Sequence, residues 1–392
     1  MPKTVFSPSI VILLLVLFCL TRPSSLQATP SITQIDAGDS TSLAIDSDGR
    51  LWSWGKNQLN GYDARRPVLI AHDVIMARAA KGEPAIYFIT RDKTLWATGS
   101  SQYGQLGLKT NGFILKPLML LPHIVYIDAG HDTPFAIDEK GRLWTWGDDN
   151  PAKGQSARTD FVPLFPASLV RIADDIVQVS SAFSHTLALK KDGSLLAWGD
   201  NESGELGDGT VIPRHSPVRT DLTALGTRKI IRIATRAGES FALADDGTLW
   251  SWGKNWAYPA EPDKTSPVLT PAKVTGIDHI RDFVPGWGHI LFLKQDGTVW
   301  IAGSGIFANT FRRTPPPPGH STEVSSRWSG PRQLLTEAAR IASGSNHILI
   351  LKKDGSLLAA GSDNYGELIK KYDPEEYDSG NVPLFLTISL PR

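Results

Sequence analysis

Asp246-Gly247-Thr248-Leu249-Trp250-Ser251-Trp252-Gly253 decides the fold: an acidic residue and a glycine turn the chain, a short apolar run follows, and a second glycine ends it. The stretch recurs as Asp48 to Gly55, Asp92 to Gly99, Lys140 to Gly147, Asp192 to Gly199, Asp296 to Gly303 and Asp354 to Gly361, with Lys93 replacing the turn glycine in the second copy. The closing glycines lie about 50 residues apart, and self-similarity at that period means an array of supersecondary units, none of which buries its apolar face alone.

The fourth copy shows the plan of a unit. Ile176-Val177-Gln178-Val179-Ser180 alternates apolar and polar residues as a strand does. A turn through Ala182, Phe183, Ser184 and His185 leads to a second strand, Thr186-Leu187-Ala188-Leu189, and Lys191-Asp192-Gly193 turns it back as Ser194-Leu195-Leu196-Ala197-Trp198. A loop from Gly199 to Gly207 follows, and Ser216-Pro217-Val218 opens a fourth, outer strand, where an edge position tolerates proline. Four antiparallel strands repeated seven times predict an all-β, seven-bladed propeller, in which radial repetition leaves only short edges. A parallel β-helix fits less well, because its coils lack hairpin turns and are shorter than these units.

The third strand predicts how blades pack. Trp52 and Trp54, Trp144 and Trp146, and Trp250 and Trp252 are two apart and share one sheet face. The other face alternates Leu or Val, as at Leu51, Leu195 and Val299, with mostly small residues, as at Ser53, Ala97 and Ala359. Large rings against the small side chains of a neighbouring blade let sheets interdigitate, so these tryptophans read as core rather than as sugar platforms.

From Ala182 through His185, Thr186, Ala188, Leu189, Asp192, Gly193, Leu195, Trp198, Gly199, Asn201, Gly204 and Leu206 to Gly207, the chain resembles the repeat of the regulator of chromosome condensation family, Ala182 standing where that repeat has glycine. The resemblance covers essentially everything after the N-terminal segment and is to a secreted, bacterial-type member. It implies the family's seven-bladed propeller, used mostly as a protein-binding platform. The loop closing the motif is intact in the fourth copy, nearly so in Gly99 to Gly107 and Gly361 to Leu368, and degenerate after Gly147, Gly253 and Gly303. Nuclear members act on a small GTPase or chromatin, a task that a secreted, near-neutral chain does not fit.

Lys3, the apolar run Ile10 to Leu20 and the small residue Ala28 read as a secretory signal over residues 1–28, the run being too short to span a bilayer as a helix. The expected location is secreted or periplasmic, without stable membrane insertion once the signal is removed. The 40 basic and 40 acidic residues balance, which argues against nucleic acid as a partner. The single Cys, Cys19, lies in the signal, so residues 29–392 rely on a packed core rather than a disulfide.

No nucleophile elbow, phosphate loop or zinc motif is present, and nothing calls for a metal or cofactor. His185, His289 and His347 hold one repeat position in three different units, which suits hydrogen bonding to backbone at turns better than ligation of one metal. The expected function is a monomeric, non-enzymatic, protein-binding propeller, an adaptor or inhibitor-like scaffold. A carbohydrate or cell-wall binding module and a hydrolase with loop-borne carboxylates are the alternatives. The longest loop, between Gly303 and Pro331, carries Phe307, Phe311, Arg312, Arg313 and Trp328, and Trp287 lies in a turn expected on the same rim; aromatic residues with arginine dominate interface energetics, so these six are the candidate partner contacts. Because the first unit lacks a proline-led outer strand before it, the C-terminal strand after Val382-Pro383 is expected to close the ring by joining the N-terminal strands.

Overall fold

The structure, a computed structural model, describes residues 30–56, 66–102, 104–107, 113–131, 133–147, 169–236, 238–254, 267–303, 329–361, 365–369 and 385–391. Seven antiparallel sheets of four strands each form the blades of a propeller, and each sheet runs from its inner to its outer strand in sequence order. In the fourth blade the strands are Ile176–Ser181, His185–Lys190, Leu195–Gly199 and Arg214–Arg219, close to those expected. The other inner strands are Ile32–Ala37, Val74–Ala79, Ile124–Asp128, Ile230–Arg236, Ile280–Pro285 and Ala338–Ser343.

One expectation of strand pairing is corrected. The C-terminal strand, Leu386–Ile388, pairs with Leu357–Gly361 of its own blade and not with N-terminal strands, so every blade is a contiguous piece of chain. The first blade needs no borrowed strand because Val68–Ala71 completes it. The C-terminal strand still helps to close the ring, since Ile388 and Leu386 pack with Ile32 and Ile35 in the seam between the seventh blade and the first. The outer strand of the third blade is Val170–Ala173.

The seams between blades are the core. Seven apolar clusters each join one blade to the next. Trp52 and Trp54 pack on Leu357 and Ala359, and Trp250 and Trp252 on Leu195 and Ala197, as the alternation of large and small residues predicts. Trp54, Trp146, Trp198 and Trp252 are fully buried, and hiding about 200 Å² of each is worth roughly 5 kcal/mol at most.

Hydrogen bonds fix the register of these seams at both rims. At the rim of the Asp-Gly turns, the turn glycine's carbonyl accepts from the first amide of the next inner strand, as in Val74 N to Gly49 O and Ile176 N to Gly141 O, each 2.9 Å. Gly247, with φ 79°, leaves room for that approach, because a Cβ there would lie 3.2 Å from Ile280 N. Lys93 adopts φ 65° without being glycine.

At the other rim the indole N–H of a third-strand tryptophan donates to a loop carbonyl of the preceding blade: Trp54 to Glu367 O at 2.8 Å, Trp146 to Gln105 O at 2.9 Å and Trp252 to Glu205 O at 2.8 Å. These acceptors sit in the three loops that keep or nearly keep the Gly-x-Leu pattern, which gives that motif its purpose. The repeat histidines add a second bond. His185 Nε2 lies 2.8 Å from Ser240 Oγ, His289 Nε2 2.9 Å from Ser343 Oγ, and His347 Nε2 3.0 Å from Ser42 Oγ. The Ser240 hydroxyl donates to Glu205 O at 2.7 Å, so His185 must be the donor in its pair. The expected backbone partner is corrected: the bond that the three histidines share is to a hydroxyl of the following blade, and only His289 Nδ1 is also seen beside a backbone carbonyl, Trp287 O at 3.2 Å, among the described residues.

Inside the ring, side chains cap the exposed edge of the neighbouring inner strand. Asp36 Oδ2 accepts from Ala79 N at 2.8 Å, Asp128 Oδ2 from Ser181 N at 2.8 Å, and Gln178 bonds both N and O of Ile233. Strand edges that would template foreign pairing are satisfied this way.

Burial lowers the pKa of His185 to about 3, of His289 to about 4 and of His347 to about 3. A histidine whose folded pKa is depressed takes its proton first in the unfolded chain, so its contribution is complete above about pH 6.5 and is lost as pH falls from there towards 4 and 3. Each histidine gives a slope of about 1.4 kcal/mol per pH unit, so urea unfolding between pH 6 and pH 4.5 is expected to show about 4 kcal/mol per unit from the three, reduced by about a third in His347→Gln. An unchanged slope in that variant contradicts the assignment. Truncation after Ser379 removes Ile388 from the closing seam and bares the edge of Leu357–Gly361; a loss of about 3 kcal/mol is expected, and a truncated chain that melts like the full one contradicts it.

Candidate functional site

The turns between the first and second strands meet over one end of the ring axis. Aligned on the pairing of the inner strands, the turn residue two places beyond the last inner-strand pair is Asp39, Lys81, Phe183, Trp287 and Ser345 in blades 1, 2, 4, 6 and 7, and in blade 3 His131 lies three places beyond the last pair. In blade 5 Arg236, the last paired residue of its inner strand, takes part instead. In blades 1, 4, 6 and 7 the last paired positions are five residues apart, as from Ser181 to Thr186, which holds Asp39, Phe183, Trp287 and Ser345 at a turn apex.

Four of their contacts join blades that are not neighbours, so they bridge the mouth of the axial channel. Arg236 Nη2 donates to Asp39 Oδ1 at 2.9 Å and to Ser345 Oγ at 2.6 Å, and the Ser345 hydroxyl donates to Asp39 Oδ1 at 2.7 Å. One guanidinium thereby ties blade 5 to blades 1 and 7. Lys81 of blade 2 reaches Ser181 O of blade 4 at 3.3 Å, and burial holds its ammonium below the usual lysine range. The Phe183 ring lies between His131, with centroids 4.0 Å apart, and Trp287, with centroids 5.5 Å apart edge to face. The Arg236 guanidinium lies 5.8 Å from the centre of the Trp287 ring.

Arg236 is 3% exposed at its side chain, whereas Trp287 above it is 50% exposed, so the mouth presents an aromatic face on a buried cationic clamp. Such a surface can hold a partner's apolar or aromatic side chain while the clamp keeps the turns from spreading.

Trp287 therefore stands on the rim where the sequence placed it. Phe307, Phe311, Arg312, Arg313 and Trp328 lie outside the described residues. Phe183, His131, Arg236 and Asp39 were not singled out from the sequence. Reading two residues before the repeat His finds Phe183, Trp287 and Ser345, but no spacing rule announces that Arg236 crosses to Asp39. Among the described residues, no group of three or more His, Cys, Asp or Glu gathers as for a metal ion, and no helix is long and apolar enough to cross a membrane.

Arg236→Ala removes the cation from Asp39 and a donor from Ser345 beneath Trp287 and is expected to cost about 3 kcal/mol in urea unfolding, with Arg236→Lys restoring only part because an ammonium does not reproduce the guanidinium's fork. A neutral Arg236→Ala contradicts the clamp.

Models of the regulator of chromosome condensation (RCC1) repeat match residues 32–61, 176–205, 338–367 and 192–244, covering blades 1, 4, 5 and 7 in part. The chain is 24% identical over 359 residues to the mouse (Mus musculus) E3 ubiquitin-protein ligase HERC2, which uses 84% of this chain and 7% of that protein, so this chain spans a small fraction of that relative's length. It is 25% identical over 309 residues to the human (Homo sapiens) regulator of chromosome condensation, 70% of this chain and 73% of that one. The solved structure of Prp20p from Saccharomyces cerevisiae, a protein with binding properties to Gsp1p and histones, superposes with a TM-score of 0.63 at 18% identity, covering 86% of this chain and 84% of its own. These relatives are eukaryotic. With its sequence repeat and its seven four-stranded blades in agreement, the chain is an all-β, seven-bladed propeller, parts of which match the regulator of chromosome condensation repeat.

Proposed function

We propose that this propeller is a non-enzymatic scaffold that binds another protein, acting as an adaptor or inhibitor outside the cytoplasm. The observation that carries the reading is the half-exposed Trp287, seated on Phe183 and over Arg236 at the channel mouth. Large exposed aromatic residues on a preorganised support are the anchors that concentrate binding energy, since little side-chain entropy remains to be lost. Arg236, already fixed by Asp39 and Ser345, supplies that support.

Prp20p places protein binding on the same frame, which supports the reading by analogy of fold. Export rests on Lys3, the apolar run Ile10 to Leu20 and Ala28, with bacterial-type secreted members as the parallel. A monomer is proposed as the acting form.

The test is quantitative capture from the host's extracytoplasmic fraction, comparing the unaltered chain with a Trp287→Ala and Phe183→Ala double variant of unchanged melting temperature. Loss of one specific protein by at least tenfold is expected. An identical set captured by both chains contradicts the reading, and retention of glycans in place of proteins points to the carbohydrate alternative.

A further inference from the structure

The seven inner strands enclose an axial channel of about 470 Å³, within the size range of small-molecule sites. The mouth described above bridges one end, so a ligand would enter from the rim of the Asp-Gly turns. At that end four consecutive blades expose a branched aliphatic side chain on the second residue of the inner strand: Ile75, Val125, Val177 and Ile231, between 40% and 54% exposed.

The charges within do not balance. Four cations, Arg78, Lys81, Arg232 and Arg340, face three anions, Asp36, Asp128 and Asp282. Arg78 lies 3.9 Å from Asp36, Arg232 pairs with Asp282, and Lys81 feels the charge of Asp128. Arg340 has no carboxylate partner among the described residues, and Arg232 keeps a buried Nε without an acceptor among them. Both arginines hold the same register position, two residues into the inner strands of blades 5 and 7, with Asp282 of blade 6 between them.

The walls differ as well. At the next channel-facing position blades 1 to 4 carry Asp36, Arg78, Asp128 and Ser180, all polar, whereas blades 5 to 7 carry Ala234, Val284 and Ala342. Most of the polar wall is already engaged in capping strand edges; the apolar wall and the spare arginine are not.

We propose that the channel binds a small organic carboxylate, its charged end on Arg340 and the free Nε of Arg232 and its apolar body against Ala234, Val284 and Ala342. A guanidinium matches a carboxylate in shape and charge. This site is separate from the aromatic mouth and does not depend on a protein partner.

Calorimetric titration of the full chain with hexanoate, acetate and 1-hexanol tests it. Hexanoate is expected to saturate one site, with acetate and hexanol each at least tenfold weaker. Arg340→Ala, an exposed position, is expected to weaken hexanoate at least tenfold with an unchanged melting temperature. Absence of saturable hexanoate binding, hexanol binding as tightly as hexanoate, or undiminished binding by Arg340→Ala overturns the proposal. Acetate binding as tightly as hexanoate reduces the site to a simple anion site and overturns the role given to the apolar wall.

Discussion

The ring depends on the contact of one blade's third-strand face with the face of the blade before it, a contact made by tryptophan in six of the seven seams and by aliphatic side chains between blades 6 and 7. A four-stranded sheet has two faces to bury, and a closed ring buries both without a separate layer. The contact is directional because the indole N–H of Trp54, Trp146 or Trp252 must find its acceptor in the preceding blade's loop. A buried donor left without an acceptor costs about 1–3 kcal/mol, so the bond selects register more than it adds stability. Nowhere does this weigh more than between blades 7 and 1, which no linker joins. There Trp54 to Glu367 O, His347 to Ser42 and the stacking of Trp52 on Leu357 and Ala359 replace the covalent connection. A Cβ on Gly344 would lie 2.2 Å from Gly38 O, so that seam also requires the absence of a side chain.

Most of this frame was legible in the sequence because its causes are local and periodic. Asp-Gly turns, alternating strands and paired tryptophans each act within a few residues and repeat, so seven weak signals coincide. Closure was not legible for the opposite reason. Proline-led outer strands and the absence of one before Ile32 suggested a shared blade, yet the outcome turns on whether Leu386–Ile388 pairs with Leu357–Gly361 or with a strand hundreds of residues earlier. Local pattern is silent on that choice, while chain connectivity favours the near partner by its smaller loop-closure entropy.

The candidate site shows the same division. Trp287 was legible as a large aromatic in a turn, whereas its setting came from residues that look unremarkable one by one. Arg236 ends a strand and reads as an edge charge; only the convergence of turns from blades 5, 7 and 1 makes it a buried clamp. The channel arginines are similar, since Arg232 and Arg340 gain meaning only when the ring sets them on either side of Asp282.

Hydrogen exchange of the native chain, read by mass spectrometry over the inner strands, tests the seam account most directly. If the bond-directed contact between blades 7 and 1 replaces a covalent link in full, Ile32–Ala37 and Ala338–Ser343 exchange as slowly as Ile176–Ser181 and Ile230–Arg236. Exchange in the two terminal blades that is faster by orders of magnitude, with blades 4 and 5 still protected, contradicts it and means a ring that stands open at its ends.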